Sequence, residues 1–161
     1  HPATPTGRTL FRTYPSRLKI HNIPSFAKNH DLLQTGLHEG TTMHGVTTWD
    51  LRCKKPNAGD YISPKALHTI EHLLATTLRN SERADDIIYF GPMGCRTGFY
   101  LLTVNMNRGE VIDLLKKCCA QALTLDYVPG SKREECGNYL EHDLEGAKKE
   151  ILNYTEILER L

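Results

Sequence analysis

Nothing in the sequence approaches the roughly 20 consecutive apolar residues that a membrane-spanning helix needs, and the first residues carry no signal-peptide core. Charge of one sign is missing too. Twenty Lys and Arg stand against 19 Asp and Glu, a net charge of +1, which offers no electrostatic footing for DNA, RNA or an anionic membrane surface. Internal repeats, long linkers and low-complexity tracts are absent. The five cysteines, Cys53, Cys95, Cys118, Cys119 and Cys136, are odd in number and irregularly spaced, so a secreted disulfide framework does not fit. The expectation is a soluble, cytoplasmic protein whose reduced thiols are free for metal binding or catalysis, and whose ligand is neither nucleic acid nor membrane.

What is present fits one domain, since 161 residues can bury a real core. His1 to about Lys19 mixes prolines and basic residues with few periodic apolar positions and reads as a peripheral N-terminal extension, with the catalytic domain over 20–161. Trp49, Leu51 and Cys53 alternate with Asp50 and Arg52, the period of a strand with one polar face. Ser63 and Pro64 then supply a helix cap and first turn, and Ala66, Leu67, Ile70, Leu73, Leu74 and Leu78 form an apolar stripe ending near Asn80. DDIIYF and FYLLTV read as two antiparallel strands separated by GPMGCRTG. Helical spacing returns over Gly109–Leu125 and Asp143–Leu161. Strands and helices do not alternate regularly, so the expected class is α+β, a mostly antiparallel sheet packed against helices.

The chemistry begins at HTIEH, His68 to His72. Four residues apart on a helix, the two imidazoles share one face and can share one metal, with Glu71 alongside to act on whatever that metal binds. Two histidines on a solvated face would mean nothing by themselves; here the opposite face is a clean apolar stripe that buries the helix. A tetrahedral site needs at least one further protein ligand, and a thiolate would supply it. Cys118 and Cys119 follow the apolar periodicity of a helix and Cys53 that of a strand, so all three read as core thiols. Cys136, in the polar segment REECGNY, is the best third ligand. Cys95 lies in the glycine-rich turn PMGCRTG with Arg96 beside it, a setting that favours a reactive thiolate.

Together HTIEHLLAT, GPMGCRTGFYL and EECGNY followed by HDLEGAK resemble the S-ribosylhomocysteine lyases, which make the autoinducer-2 precursor of quorum sensing and serve the activated methyl cycle. The resemblance runs from about Ile23 to Ala147. It implies metal ligands at His68, His72 and Cys136, acid/base roles for Glu71 and Cys95, and substrate contacts from Ser25 and His30 of SFAKNH and Arg52 of DLRCKKPN. It further implies ferrous iron, replaceable by zinc or cobalt, and a homodimer in which Ser25 and His30 approach the partner's metal. The reaction so implied opens S-ribosylhomocysteine to its aldose, moves the carbonyl along the chain and expels homocysteine by β-elimination, leaving 4,5-dihydroxy-2,3-pentanedione. Several members of the family carry an aspartate where Tyr89 stands. Three alternatives keep their place. HxxEH also marks the inverted zinc peptidases, whose third ligand is a carboxylate. A structural zinc could be closed by a fourth ligand such as His142 or another cysteine. An inactive binding homologue would be expected to lose Glu71 or Cys95, and both are present.

Overall fold

The computed structural model describes residues 20–161; the stretch 1–19, expected to be a peripheral extension, lies outside the described residues. The elements follow in the order α1 (Pro24–Ala27), β1 (Gly36–Met43), β2 (Val46–Arg52), α2 (Pro64–Arg79), β3 (Ile87–Pro92), β4 (Gly98–Val104), α3 (Arg108–Thr124) and α4 (Leu144–Glu159). The strands form one sheet in the order β1-β2-β4-β3, with every neighbouring pair antiparallel. The class is α+β, and α2, α3 and α4 pack on one another and against the sheet.

Period two decides which side of the sheet meets the helices. Trp49 pairs with Leu101 and Leu51 with Phe99 across β2 and β4, and all four are buried in the core with Ile70, Leu73, Leu115 and Leu158 of the helices. The one tryptophan spends its indole N–H on Thr103 Oγ1 at 2.9 Å, so no polar atom of this pair is stranded in the core. Each long helix carries its own N-terminal cap. Ser63 Oγ accepts from the Ala66 amide, Asn107 and Glu110 form a reciprocal capping box, and Asp143 accepts from the Gly146 amide.

Two features depart from the sequence reading. Strand β1 was not foreseen, because GLHEGTTM holds few apolar residues and its register shifts between Glu39 and Thr42. It is fixed by the turn that follows, where His44 and Gly45 take φ of 53° and 79°, the pair of positive values a tight hairpin requires. Asp50 and Arg52, expected on a polar strand face, are 0% and 1% exposed. At this end of the sheet the second face is covered by the segment around Lys28 and by the 93–97 turn, which supply hydrogen-bond partners to both.

Candidate metal centre and thiol cavity

Helix α2 buries Thr69, Ile70 and Leu73, so its remaining face turns His68 and His72 toward the loop before α4. There Cys136 Sγ lies 3.5 Å from His68 Nε2 and 3.8 Å from His72 Nε2, and the two ring nitrogens are 3.1 Å apart. His142 joins them, and the four donor atoms lie within 4.8 Å of one another. What aims these nitrogens is backbone. His68 Nδ1 donates to the Glu141 carbonyl and His72 Nδ1 to the Pro129 carbonyl, each at 2.8 Å. With the proton on Nδ1, Nε2 keeps its lone pair and points it inward. Gly130 makes the second contact possible: its φ is +66°, and a Cβ there would press on His72 Nδ1.

The third imidazole is oriented by a hydroxyl. Thr69 Oγ1 donates to the Lys65 carbonyl and accepts from the Asp143 amide. Its one proton is therefore spent, and His142 Nδ1, 2.9 Å away, must be the donor to it. Burial, and then the His68 and His72 imidazoles, push His142 down to about 4, so it is neutral near pH 7. Yet His142 does not close the shell. An imidazole coordinates in its own ring plane, and the His68 and His142 rings are stacked, with centroids 4.1 Å apart and planes 22° from parallel. No point lies in both planes at the ~2 Å a metal–nitrogen bond requires. His68 and His72, by contrast, are crossed at 81°. Tetrahedral ligand spacing of about 3.3 Å for N···N and 3.6 Å for S···N is met by His68, His72 and Cys136, whereas His142 Nε2 stands 4.0 Å from Cys136 Sγ. A soft thiolate with two imidazoles suits a first-row transition metal ion. No carboxylate belongs to this group, which is against the peptidase alternative. Glu71, one residue before His72, is half-buried and makes no hydrogen bond or ion pair among the described residues.

A second cluster sits where β2 ends and β4 begins. Ser25, His30, Arg52, Met93, Cys95 and Tyr100 are among the walls of a cavity of about 400 Å³, so the structure brings together the three residues expected to bind substrate and the expected reactive cysteine. None of the four metal-facing residues is among those walls. His30 Nδ1 donates to the Lys28 carbonyl at 2.9 Å, leaving Nε2 without a partner among the described residues.

Arg52 is held underneath. Its Nε and Nη2 donate to the two oxygens of Asp50 at 3.1 and 2.7 Å, its Nη1 donates to Thr97 Oγ1 at 2.7 Å, and Lys28 pairs with Asp50 at 2.9 Å. Cys95 Sγ lies 3.1 Å from the same Thr97 hydroxyl. Burial alone would push this thiol up, but the Thr97 hydroxyl and amide and the Arg52 charge outweigh it, and the net shift is below the usual thiol range. The other shifted cysteines go the opposite way. Burial pushes Cys53 up, Cys118 up to about 11 and Cys119 up to about 12, as core thiols should be.

The cation beside Cys95 is not the one expected. Arg96, with a φ of 61°, turns its guanidinium away to the Ile62 carbonyl at 3.1 Å and over the Tyr61 ring; Arg52 takes that place through Thr97. Sequence reasoning passed over Asp50, Thr69 and Thr97. A faint signal existed for Asp50, which lies two residues from Arg52 on β2, the spacing that puts neighbours on one side of extended chain.

Comparison with known proteins identifies the family. The family model for S-ribosylhomocysteinase (LuxS) matches residues 23–160. Among curated proteins, the S-ribosylhomocysteine lyase of Borreliella afzelii is 43% identical over 149 residues, covering 88% of this chain and 95% of that protein. The S-ribosylhomocysteine lyases of Phocaeicola vulgatus and Desulfotalea psychrophila are 41% and 39% identical over 150 residues, each covering 88% of this chain and 93% and 94% of their own length. With nearly the whole described domain matched, the chain belongs to the S-ribosylhomocysteinase (LuxS) family.

Proposed function

We propose that this chain, an S-ribosylhomocysteine lyase by family, is a metal-dependent enzyme that cleaves the thioether of S-ribosylhomocysteine to homocysteine and 4,5-dihydroxy-2,3-pentanedione by carbonyl migration and β-elimination. The observation that carries this reading is the convergence of three lone pairs, from His68 Nε2, His72 Nε2 and Cys136 Sγ, in a protein that separately presents a low-pKa thiol. Those three residues would hold a divalent cation, ferrous iron with zinc or cobalt as substitutes. When bound, the cation supplies Lewis acidity, drawing electron density from a sugar oxygen and so acidifying the neighbouring C–H.

The protein's own groups then move protons. In each of two successive shifts, Cys95 as a thiolate takes the proton from the hydroxyl-bearing carbon next to the carbonyl and returns it to the former carbonyl carbon while the hydroxyl proton passes between the two oxygens, so the carbonyl moves one position with no net redox change. Once the carbonyl is two carbons from the one that bears sulfur, Glu71 removes the proton between them. The electron pair becomes a C=C bond, the C–S bond breaks, homocysteine leaves with the sulfur pair and collects a proton, and the enol left behind takes a proton on its terminal carbon and loses its O–H proton to become the dione. Ser25 and His30 Nε2 offer hydrogen bonds to the sugar hydroxyls.

Both halves must meet, and in one chain they line different places. A second copy is the natural source. The outer face of the sheet carries Tyr89 and Leu102 beside an open groove of about 510 Å³ that also touches Ile23 and Ser25, and Phe26 next to it is 72% exposed. Such an apolar surface suits a homodimer that delivers Ser25, His30, Arg52 and Cys95 to the metal and Glu71 of its partner. No helix among the described residues is long and apolar enough to cross a membrane, and five free thiols suit a reducing cytoplasm.

The deciding experiment is thiol release. Protein loaded with ferrous iron or cobalt should free homocysteine from S-ribosylhomocysteine and leave S-adenosylhomocysteine intact, because a glycosidic ribose cannot open to an aldehyde. Metal-replete protein that releases no thiol above the no-enzyme control would overturn the assignment.

A further inference from the structure

Arg52 is 1% exposed, and its Nε, Nη1 and Nη2 all donate to protein oxygens. Although it borders the cavity, its hydrogen bonds run to Asp50 and Thr97 and not toward the open space. Thr97 is 2% exposed, and its backbone is clamped by the amides of Cys53 and Lys54, both donating to its carbonyl at 2.9 Å. Its hydroxyl therefore stands fixed between two groups, Arg52 Nη1 at 2.7 Å and Cys95 Sγ at 3.1 Å.

A hydroxyl has one proton and two lone pairs, and a guanidinium N–H can only donate. Thr97 Oγ1 must therefore accept from Arg52, and its own proton is free to point at the sulfur. If Cys95 were a thiol donating to Thr97, the buried hydroxyl proton would have no acceptor among the described residues, a desolvated donor that costs free energy. With the sulfur as acceptor, Arg52 Nη1, Thr97 Oγ1 and Cys95 Sγ form one run in which each proton meets an acceptor, and an ionised sulfur is the stronger acceptor for the hydroxyl. The charges around the sulfur agree. Arg52 and Lys28 are cationic and Asp50 is anionic, His30 on the cavity wall adds no negative charge, and Arg96 is turned away.

We propose that Thr97 is a positioning residue that couples the buried Arg52–Asp50 pair to Cys95 and holds the sulfur as a thiolate. Asp50 fixes the plane of the guanidinium through two hydrogen bonds, the guanidinium fixes which way the Thr97 hydroxyl points, and the hydroxyl stabilises the anion. Arg52 is then a member of this support, acting on the substrate through Cys95. The proposal rests on the reading of Cys95 as the proton-transfer group. Its test is made without substrate, so the two fail separately: full activity in Cys95→Ala would remove that reading and leave the thiolate support to be judged by its own titration.

The experiment follows alkylation of the Cys95 peptide by iodoacetamide as a function of pH, by mass spectrometry of the metal-loaded protein, so that Cys136 is protected and the core thiols do not interfere. Thr97→Val keeps the shape and removes the hydroxyl. It should raise the Cys95 midpoint by about one pH unit, the scale of a lost hydrogen bond to a charged form, and lower the reactive fraction about tenfold on the acid side of that midpoint. Thr97→Ser should restore the wild-type midpoint. The acid limb of kcat should move up with the thiol in Thr97→Val, with KM changing less. Should Thr97→Val not fold, the smaller Thr97→Ala is read the same way. A folded Thr97→Val or Thr97→Ala protein whose Cys95 titrates as in the wild type would overturn the proposal.

Discussion

The metal centre and the thiol cavity solve opposite electrostatic problems with similar small parts. Around His68 and His72 the supporting groups are carbonyl oxygens of Glu141 and Pro129, neutral acceptors that engage each Nδ1 and so turn Nε2 inward. Around Cys95 the support is a buried cation, Arg52, working through a hydroxyl, which keeps a sulfur charged. Backbone carbonyls are enough for the first because a neutral ring costs little to bury. A thiolate in a half-closed cavity needs a compensating positive charge, and that cation in turn needs Asp50 beneath it, since Arg52 is itself almost wholly buried.

The largest effects should come from removing the metal donors. His72→Ala or Cys136→Ala should lose stoichiometric metal by elemental analysis, while Cys118→Ser, whose thiol is in the core, keeps it. Full metal in Cys136→Ala would merge the two regions' roles and break the comparison. Next, Glu71→Gln and Cys95→Ala should retain metal yet lose about two orders of magnitude or more in thiol release.

Mixing those two inactive chains tests whether the regions belong to opposite subunits. Random re-association of Cys95→Ala with Glu71→Gln should recover about a quarter of wild-type activity, since half the dimers are mixed and each has one intact composite site. Cys95→Ala mixed with His30→Ala should recover none, because both lesions fall in the same cavity. Activity from that second mixture would sink the composite arrangement.

Smaller effects probe the supports. Gly130→Ala should cost about 1–2 kcal/mol for the left-handed backbone and weaken metal binding about tenfold by disturbing the carbonyl that aims His72; competition with a chelator measures it. His142→Phe, which keeps the stack on His68 and removes the lone pair, should hold a full complement of metal, and a loss of stoichiometry would make His142 a ligand after all.

The smallest effect is on stability. Burial works against ionisation of Asp50, but hydrogen bonds from Arg52 and Lys28 outweigh it and lower its carboxyl in the folded state. Its contribution is therefore complete above the unfolded value of about 3.9 and is lost as pH falls through the lower folded value. Urea titrations between pH 3 and 6 should show this acid-side loss in the wild type and a flatter profile in Asp50→Asn.

Much of this was legible in the residues. The four-residue spacing of His68 and His72, the cap at Ser63, the placement of Cys118 and Cys119 in the core and of Cys136 and Cys95 outside it all follow from local sequence pattern, and that pattern is set by bonds within one element. Three family motifs in order pointed to the same chemistry. Strand β1 escaped notice because its pairing is decided by the hairpin turn and by β2, not by its own composition.

What the chain order alone determined is therefore which side chains lie on which face of which element. Only the tertiary structure decided that Arg52, not the adjacent Arg96, supports Cys95. Only it showed that His142 stands near the metal donors without sharing a plane with His68, and that the metal donors and the thiol cavity are lined by different residues. The reason is physical. Neighbours in sequence share a direction along one element, but the N–H of a ring or a guanidinium is engaged by acceptors brought from tens of residues away, as Glu141 reaches His68 and Thr97 reaches Arg52.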